Sequence, residues 1–129
     1  MIWADTNILL RLITKTPVHQ FEAIKQFLKA AVSPVLVHPA HVCEALYVLE
    51  GQTYQFSAAR AAQELVTLLS SDRFEVIDAL AVVTAIGAYP ASNLDFPDVL
   101  ICELARANGG RVLTFDRKMA RLGVPLVQP

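Results

Sequence analysis

Two cysteines in 129 residues, with no Cys-x-x-Cys pair and no histidine at zinc-ligand spacing, exclude both a disulfide-stapled scaffold and a structural zinc site. Cys43 and Cys102 each stand alone inside an apolar helical pattern and read as buried, reduced thiols. No apolar run reaches the ~18 residues that a membrane-spanning helix needs, and the first residues carry no basic, apolar and small-residue sequence of a secretory leader. The expectation is a cytoplasmic protein with no membrane association. Basic residues are not in excess: eleven Lys and Arg stand against twelve Asp and Glu, a net charge of -1. A chain that coats nucleic acid by phosphate neutralisation alone is thereby excluded, and any contact with RNA has to be local. There is no Gly-rich dinucleotide turn, no P-loop lysine, no His-Glu-x-x-His and no Gly-x-Ser-x-Gly.

What the sequence does have is apolar material. Its hydrophobic fraction of 54% exceeds the usual share, so a core can form without covalent or metal staples. The length suits one domain over residues 1–129. A mean hydropathy of +0.43 hints at apolar surface covered by a second subunit or a partner.

The pattern alternates short strands with helices. Strands are expected at Ile2–Ala4, Val35–Val37, Phe74–Val76, Arg111–Thr114 and Leu126–Val127. Between them lie a buried helix from Asn7 to Ile13, an amphipathic helix over Val18–Ala31, and helices over His41–Glu50 and from a Ser57 cap to Ser70. Another runs from Ala79 to Tyr89 and stops at Pro90, and one begins at Asp95 and ends before Gly109–Gly110. In that last helix Asp95 reads as the cap and Pro97 as a first-turn residue. Such alternation predicts an α/β fold: a three-layer α/β/α sandwich around a central, mostly parallel sheet.

Four carboxylates fall where strands end or following helices begin. Asp5 follows the first strand, Glu44 lies early in the helix after the second, Asp98 sits in the first turn of a late helix, and Asp116 follows the Arg111–Thr114 strand. Ligands of parallel sheets bind at that edge. Each acid also has an ordinary explanation in capping or helix-dipole effects worth ~0.3–1 kcal/mol. Asp5 resists that explanation best, since a buried strand end offers a carboxylate little water unless a polar cleft is there. Carboxylates sharing one cleft repel, and a divalent cation relieves them; oxygen-only donors select Mg²⁺ or Mn²⁺ over zinc. Such a site suits phosphodiester hydrolysis by a metal-activated water. His38 and His41 read as solvated or capping residues.

The segments Ala4-Asp5-Thr6-Asn7-Ile8-Leu9-Leu10, Leu94-Asp95-Phe96-Pro97-Asp98-Val99-Leu100-Ile101 and Leu113-Thr114-Phe115-Asp116-Arg117 together resemble PIN-domain proteins, in the family's order and approximate spacing. Size and layout are most similar to the VapC toxins of toxin-antitoxin pairs. The resemblance implies a PIN-like sandwich, a Mg²⁺- or Mn²⁺-dependent endoribonuclease, a homodimer, and inhibition by a cognate VapB-like antitoxin protein. It carries catalytic and metal-binding roles onto Asp5, Glu44, Asp98 and Asp116, with Asp95 as an accessory acid. Thr6, Asn7 and Thr114 take supporting roles. Arg117 and Arg11, and with less reason Lys118 and Arg121, are candidate contacts to RNA phosphates.

Two other readings compete. A phosphotransfer receiver needs an acidic pair after the first strand, where Thr6-Asn7 stands, and a phosphoacceptor Asp ending a middle strand, where His38-Pro39 stands. A PIN-like module that binds RNA or protein without cutting would have no reason to keep repelling carboxylates together.

Overall fold

The structure, a computed structural model, describes all residues from Met1 to Pro129. Its contacts divide the chain into two units, Met1–Ile77 and Asp78–Pro129.

In the first unit, β1 (Trp3–Ala4), β2 (Val35–Val37) and β3 (Phe74–Val76) form a sheet in that order, every pairing parallel. Trp3 lies opposite Leu36, and Val35 and Val37 lie opposite Phe74 and Val76. Parallel neighbours require crossovers, and these are helical: α1 (Thr6–Thr14) and α2 (Val18–Ala30) join β1 to β2, while α3 (Pro39–Glu50) and α4 (Ala58–Leu69) join β2 to β3. Val35, Val37, Phe74 and Val76 are buried, and so are Leu9 of α1, Val42, Leu46 and Leu49 of α3, and Leu65 of α4. α1 packs on α2, α3 and α4. The apolar stripe of α2 is less covered than its spacing suggests, since only Leu28 is buried and Phe27 is half exposed. The Ser57 cap forms as expected, with its Oγ accepting from the Arg60 amide at 3.1 Å.

In the second unit, α5 (Ala79–Ser92) and α6 (Phe96–Ala107) pack against each other and bury Val82, Ala85, Ile86 and Val99. The Tyr89 and Phe96 rings meet edge to face at 5.6 Å. β4 (Val112–Leu113) and β5 (Leu126–Val127) pair in parallel, bridged by a 3₁₀ segment over Arg117–Leu122. Cys102, Val112, Met119 and Val124 form the core beneath them.

The α/β reading holds, with strands shorter than their apolar runs. Two boundaries are corrected: α3 begins at Pro39 and not at His41, because His38 supplies the cap, and α5 runs past its expected end. Pro90 does not end α5, which continues to Ser92 and closes on Asn93 in a left-handed conformation, φ 56°. A proline φ fits the helix, and the hydrogen bond it forgoes is a single one near the end. The Ser92 hydroxyl donates to the Tyr89 carbonyl at 2.7 Å, satisfying a carbonyl of that last turn.

Candidate functional site: two groups of acids

Asp5 sits where β1 ends, in extended backbone with φ -89° and ψ 177°, and caps α1: its Oδ1 accepts from the Ile8 amide at 3.2 Å. Asp5 is exposed, so its carboxylate has access to water at this strand end. The cap engages one oxygen and leaves the other free to face a ligand.

Thr6, the first residue of α1, is the only buried polar residue of the first unit, at 6% exposure. Its hydroxyl donates to Glu44 Oε2 at 2.9 Å and lies 2.8 Å from His41 Nδ1. Glu44 is exposed, but it does not simply trail into solvent. Pro39 in the first turn and His38 as cap, its Nδ1 accepting from the Ala40 amide at 3.0 Å, start α3 so that His41 and Glu44 fall one turn apart. His38 is the capping residue expected; His41 is more than a solvated one. Asn7 is exposed on α1.

In the second unit Asp95 occupies the cap position of α6 with extended backbone, φ -68° and ψ 145°, and its carbonyl accepts from the Asp98 amide at 3.0 Å. Its side chain makes no capping bond, which corrects the expected role and leaves the carboxylate uncommitted. Pro97 stands in the first turn as expected. Asp98, half-buried in that turn, has its carboxyl pushed above the ordinary range, first by burial and then by the negative charges of Asp95 and Asp116. Asp116 follows β4 and caps the 3₁₀ segment, its Oδ1 accepting from the Lys118 amide at 2.9 Å. Thr114 braces that turn by accepting from the Asp116 amide at 2.9 Å.

Electrostatically, then, the second unit gathers Asp95, Asp98 and Asp116. In neither unit do three or more Asp, Glu, His or Cys side chains converge tightly enough to hold a metal ion. The chemistry of the donors nevertheless fits a hard divalent cation: all are carboxylate oxygens, and the neighbouring charges that add to burial in raising Asp98 are what a nearby cation would offset. An apolar cavity of about 340 Å³ in the first unit, lined by residues including Ile2, Trp3, Ile8, Ile24 and Phe27, contains none of these acids.

Among the candidate phosphate contacts, Arg117, Lys118 and Arg121 are exposed on the 3₁₀ segment, whereas the Arg11 Nε donates to Gln20 Oε1 at 2.7 Å. Two residues are not evident from sequence. His41 is the first. Glu103 is the second: it is buried in α6 and accepts from Arg106 Nε at 3.2 Å, and Arg106 also donates to the Leu122 carbonyl. The spacing of an acid three residues before an arginine is visible in the sequence, but its burial is not. Burial, followed by the charges of Asp98 and Glu103, raises the Cys102 thiol, consistent with an unreactive core cysteine.

A family model described as PIN domain matches residues 2–125. Neither a curated protein nor a solved structure is found to match the chain.

Proposed function

This chain belongs to the PIN domain family, a nuclease-type fold whose members generally bind divalent metals, and from that premise we propose that it is a Mg²⁺- or Mn²⁺-dependent endoribonuclease. The observation that carries the proposal is the place of Asp98, a half-buried carboxyl in the first turn of α6 whose pKa is raised first by burial and then by the charges of Asp95 and Asp116. Like charges near a half-buried carboxyl cost the fold stability, and a bound cation offsets that cost.

In this reading metal-binding roles fall to Asp5 and Glu44 of the first unit and to Asp98 and Asp116 of the second, and Asp95 adds negative charge close to Asp98. A bound divalent ion supplies a water of lowered pKa and neutralises charge on the scissile phosphate. The protein's part is to fix the acids: Thr6 holds one oxygen of Glu44, Thr114 braces the turn bearing Asp116, and the α6 backbone presents Asp98. Arg117 and its neighbours on the 3₁₀ segment draw the RNA backbone locally, as a net charge of -1 requires.

Within the family we assign the chain to the VapC-like toxins: a cytoplasmic homodimer restrained by a VapB-like antitoxin protein. The order and spacing of the three acidic motifs support this assignment. The match runs across both units, which supports treating residues 1–129 as one PIN domain.

The test is cleavage of a pool of structured RNAs by purified protein with Mg²⁺, with chelator, and beside Asp98→Asn prepared identically. Cleavage that needs metal and disappears in the variant is the expected result. Equal activity of the two proteins would identify a contaminant. A folded wild-type protein that binds RNA without cutting any of it would favour the non-catalytic module.

A further inference from the structure

Glu44 poses a positional problem. Its side chain is 61% exposed and rotates about three bonds, so an isolated Glu here would sample many positions and present its oxygens to a metal only part of the time. The oxygen Oε2 is instead tied to a hydroxyl that is itself buried.

That hydroxyl has one hydrogen and accepts through its lone pairs. The Glu44 carboxylate only accepts, so the Thr6 hydrogen goes to Oε2 at 2.9 Å. The contact of 2.8 Å between Thr6 Oγ1 and His41 Nδ1 then requires the hydrogen on the imidazole nitrogen. The three side chains thus run in one direction: His41 Nδ1–H donates to Thr6 Oγ1, and Thr6 Oγ1–H donates to Glu44 Oε2. His41 Nδ1 lies 4.0 Å from Glu44 Oε2, too far for a hydrogen bond of its own, so it acts through the threonine.

We propose that His41 is a positioning residue: by donating to Thr6 it fixes the direction of the Thr6 hydroxyl and so holds Glu44 in the orientation in which its second oxygen meets the metal. The inference rests on the reading of Glu44 as a metal ligand. Without the imidazole, the Thr6 hydroxyl loses the donor that fixes its direction and is free to turn toward water, and Glu44 is released.

Two measurements test it. The first reads the wild-type protein through the ¹⁵N shifts of its imidazoles at about pH 8.5, above the ordinary histidine range. With three histidines in the chain, single substitutions assign the signals. His41 is expected to carry its hydrogen on Nδ1, and Thr6→Val should return it to the Nε2–H form that a free imidazole prefers. A wild-type His41 protonated at Nε2 would overturn the relay, whether or not Thr6→Val folds. The second is Mn²⁺ affinity by calorimetry. Outer-shell partners of metal ligands are worth about 10- to 100-fold in affinity, so Thr6→Val and His41→Leu should lose that much, and Thr6→Ser, which keeps the hydroxyl, should retain most of it. Wild-type binding that His41→Leu leaves intact overturns the inference alone. A wild-type protein that takes up no Mn²⁺, or Mn²⁺ binding abolished by Asp98→Asn but untouched by Glu44→Gln, overturns the functional reading of Glu44 and the relay's role with it.

Discussion

At the scale of single residues, Asp98 has the clearest consequence. Its carboxyl is held above the ordinary carboxylate range by burial, by Asp95 and by Asp116. The folded chain therefore keeps this proton at pH values where the unfolded chain has already released it. Stability from this group is fully present below the unfolded pKa, and it is lost as pH rises through the raised folded pKa. Near neutral pH the metal-free protein accordingly carries a penalty. Asp98→Asn should raise the melting temperature measured in chelator at pH 7, and the gain should shrink toward zero as the pH falls below the carboxylate range. Added Mg²⁺ should stabilise the wild type more than the variant, because a ligand stabilises only the state that binds it. A variant that melts below the wild type in chelator at pH 7 would mean that Asp98 is structural. Asp95 sits in a cap position but bonds no amide, so Asp95→Ala should change stability by less than ~0.5 kcal/mol, whereas Ser57→Ala removes a formed cap and should cost about 1 kcal/mol. Chemical denaturation of the two variants gives both numbers directly.

Elements show what a sequence can and cannot announce. The Ser57 cap and the proline in the first turn of α6 are legible because each is decided by neighbours a few residues away. The end of α5 is not, because Pro90 is compatible with a helix that has one turn left, and the Ser92 hydroxyl makes that turn acceptable. His41 is hidden for a different reason: its meaning comes from Thr6, 35 positions earlier in the chain, and only the packing of α1 on α3 joins them. The four acids are legible as residue types at strand ends, but the capping duties of Asp5 and Asp116 and the idleness of Asp95 depend on side-chain directions that spacing does not encode. Glu103 belongs with the illegible part. Its bond to Arg106, together with that arginine's bond to the Leu122 carbonyl, ties α6 to the end of the 3₁₀ segment. Arg106→Ala leaves a buried carboxylate without its partner. Breaking a deeply buried pair in this way costs about 3–5 kcal/mol, but Arg106 is half exposed, so about 1–3 kcal/mol is expected. Glu103→Gln, which can still accept a hydrogen bond, should cost less. The reverse order in urea unfolding would mean that Arg106 contributes little, by pairing or by packing, and that Glu103 is held by other contacts.

At the scale of the whole molecule, the near balance of charge governs how RNA is met. With a net charge of -1, no general field draws a polyanion to this chain, so attraction has to come from a local group of cations. Arg117, Lys118 and Arg121 form such a group on the 3₁₀ segment, while Arg11 is already engaged with Gln20. Each phosphate neutralised on a single strand contributes about -0.7 to the slope of log affinity against log salt, so three contacts predict a slope of about -2. The measurement is RNA binding by the Asp98→Asn protein, which separates binding from cutting, over a range of salt concentrations. Replacing Arg117 by Ala in that background should weaken binding to all sequences alike and flatten the slope by about 0.7, the signature of a contact that positions the backbone and reads no base. A much steeper slope would place the RNA on a broader surface than this segment. A slope near zero with retained affinity would mean that stacking or base contacts hold the RNA, and that the cations of the 3₁₀ segment serve solubility.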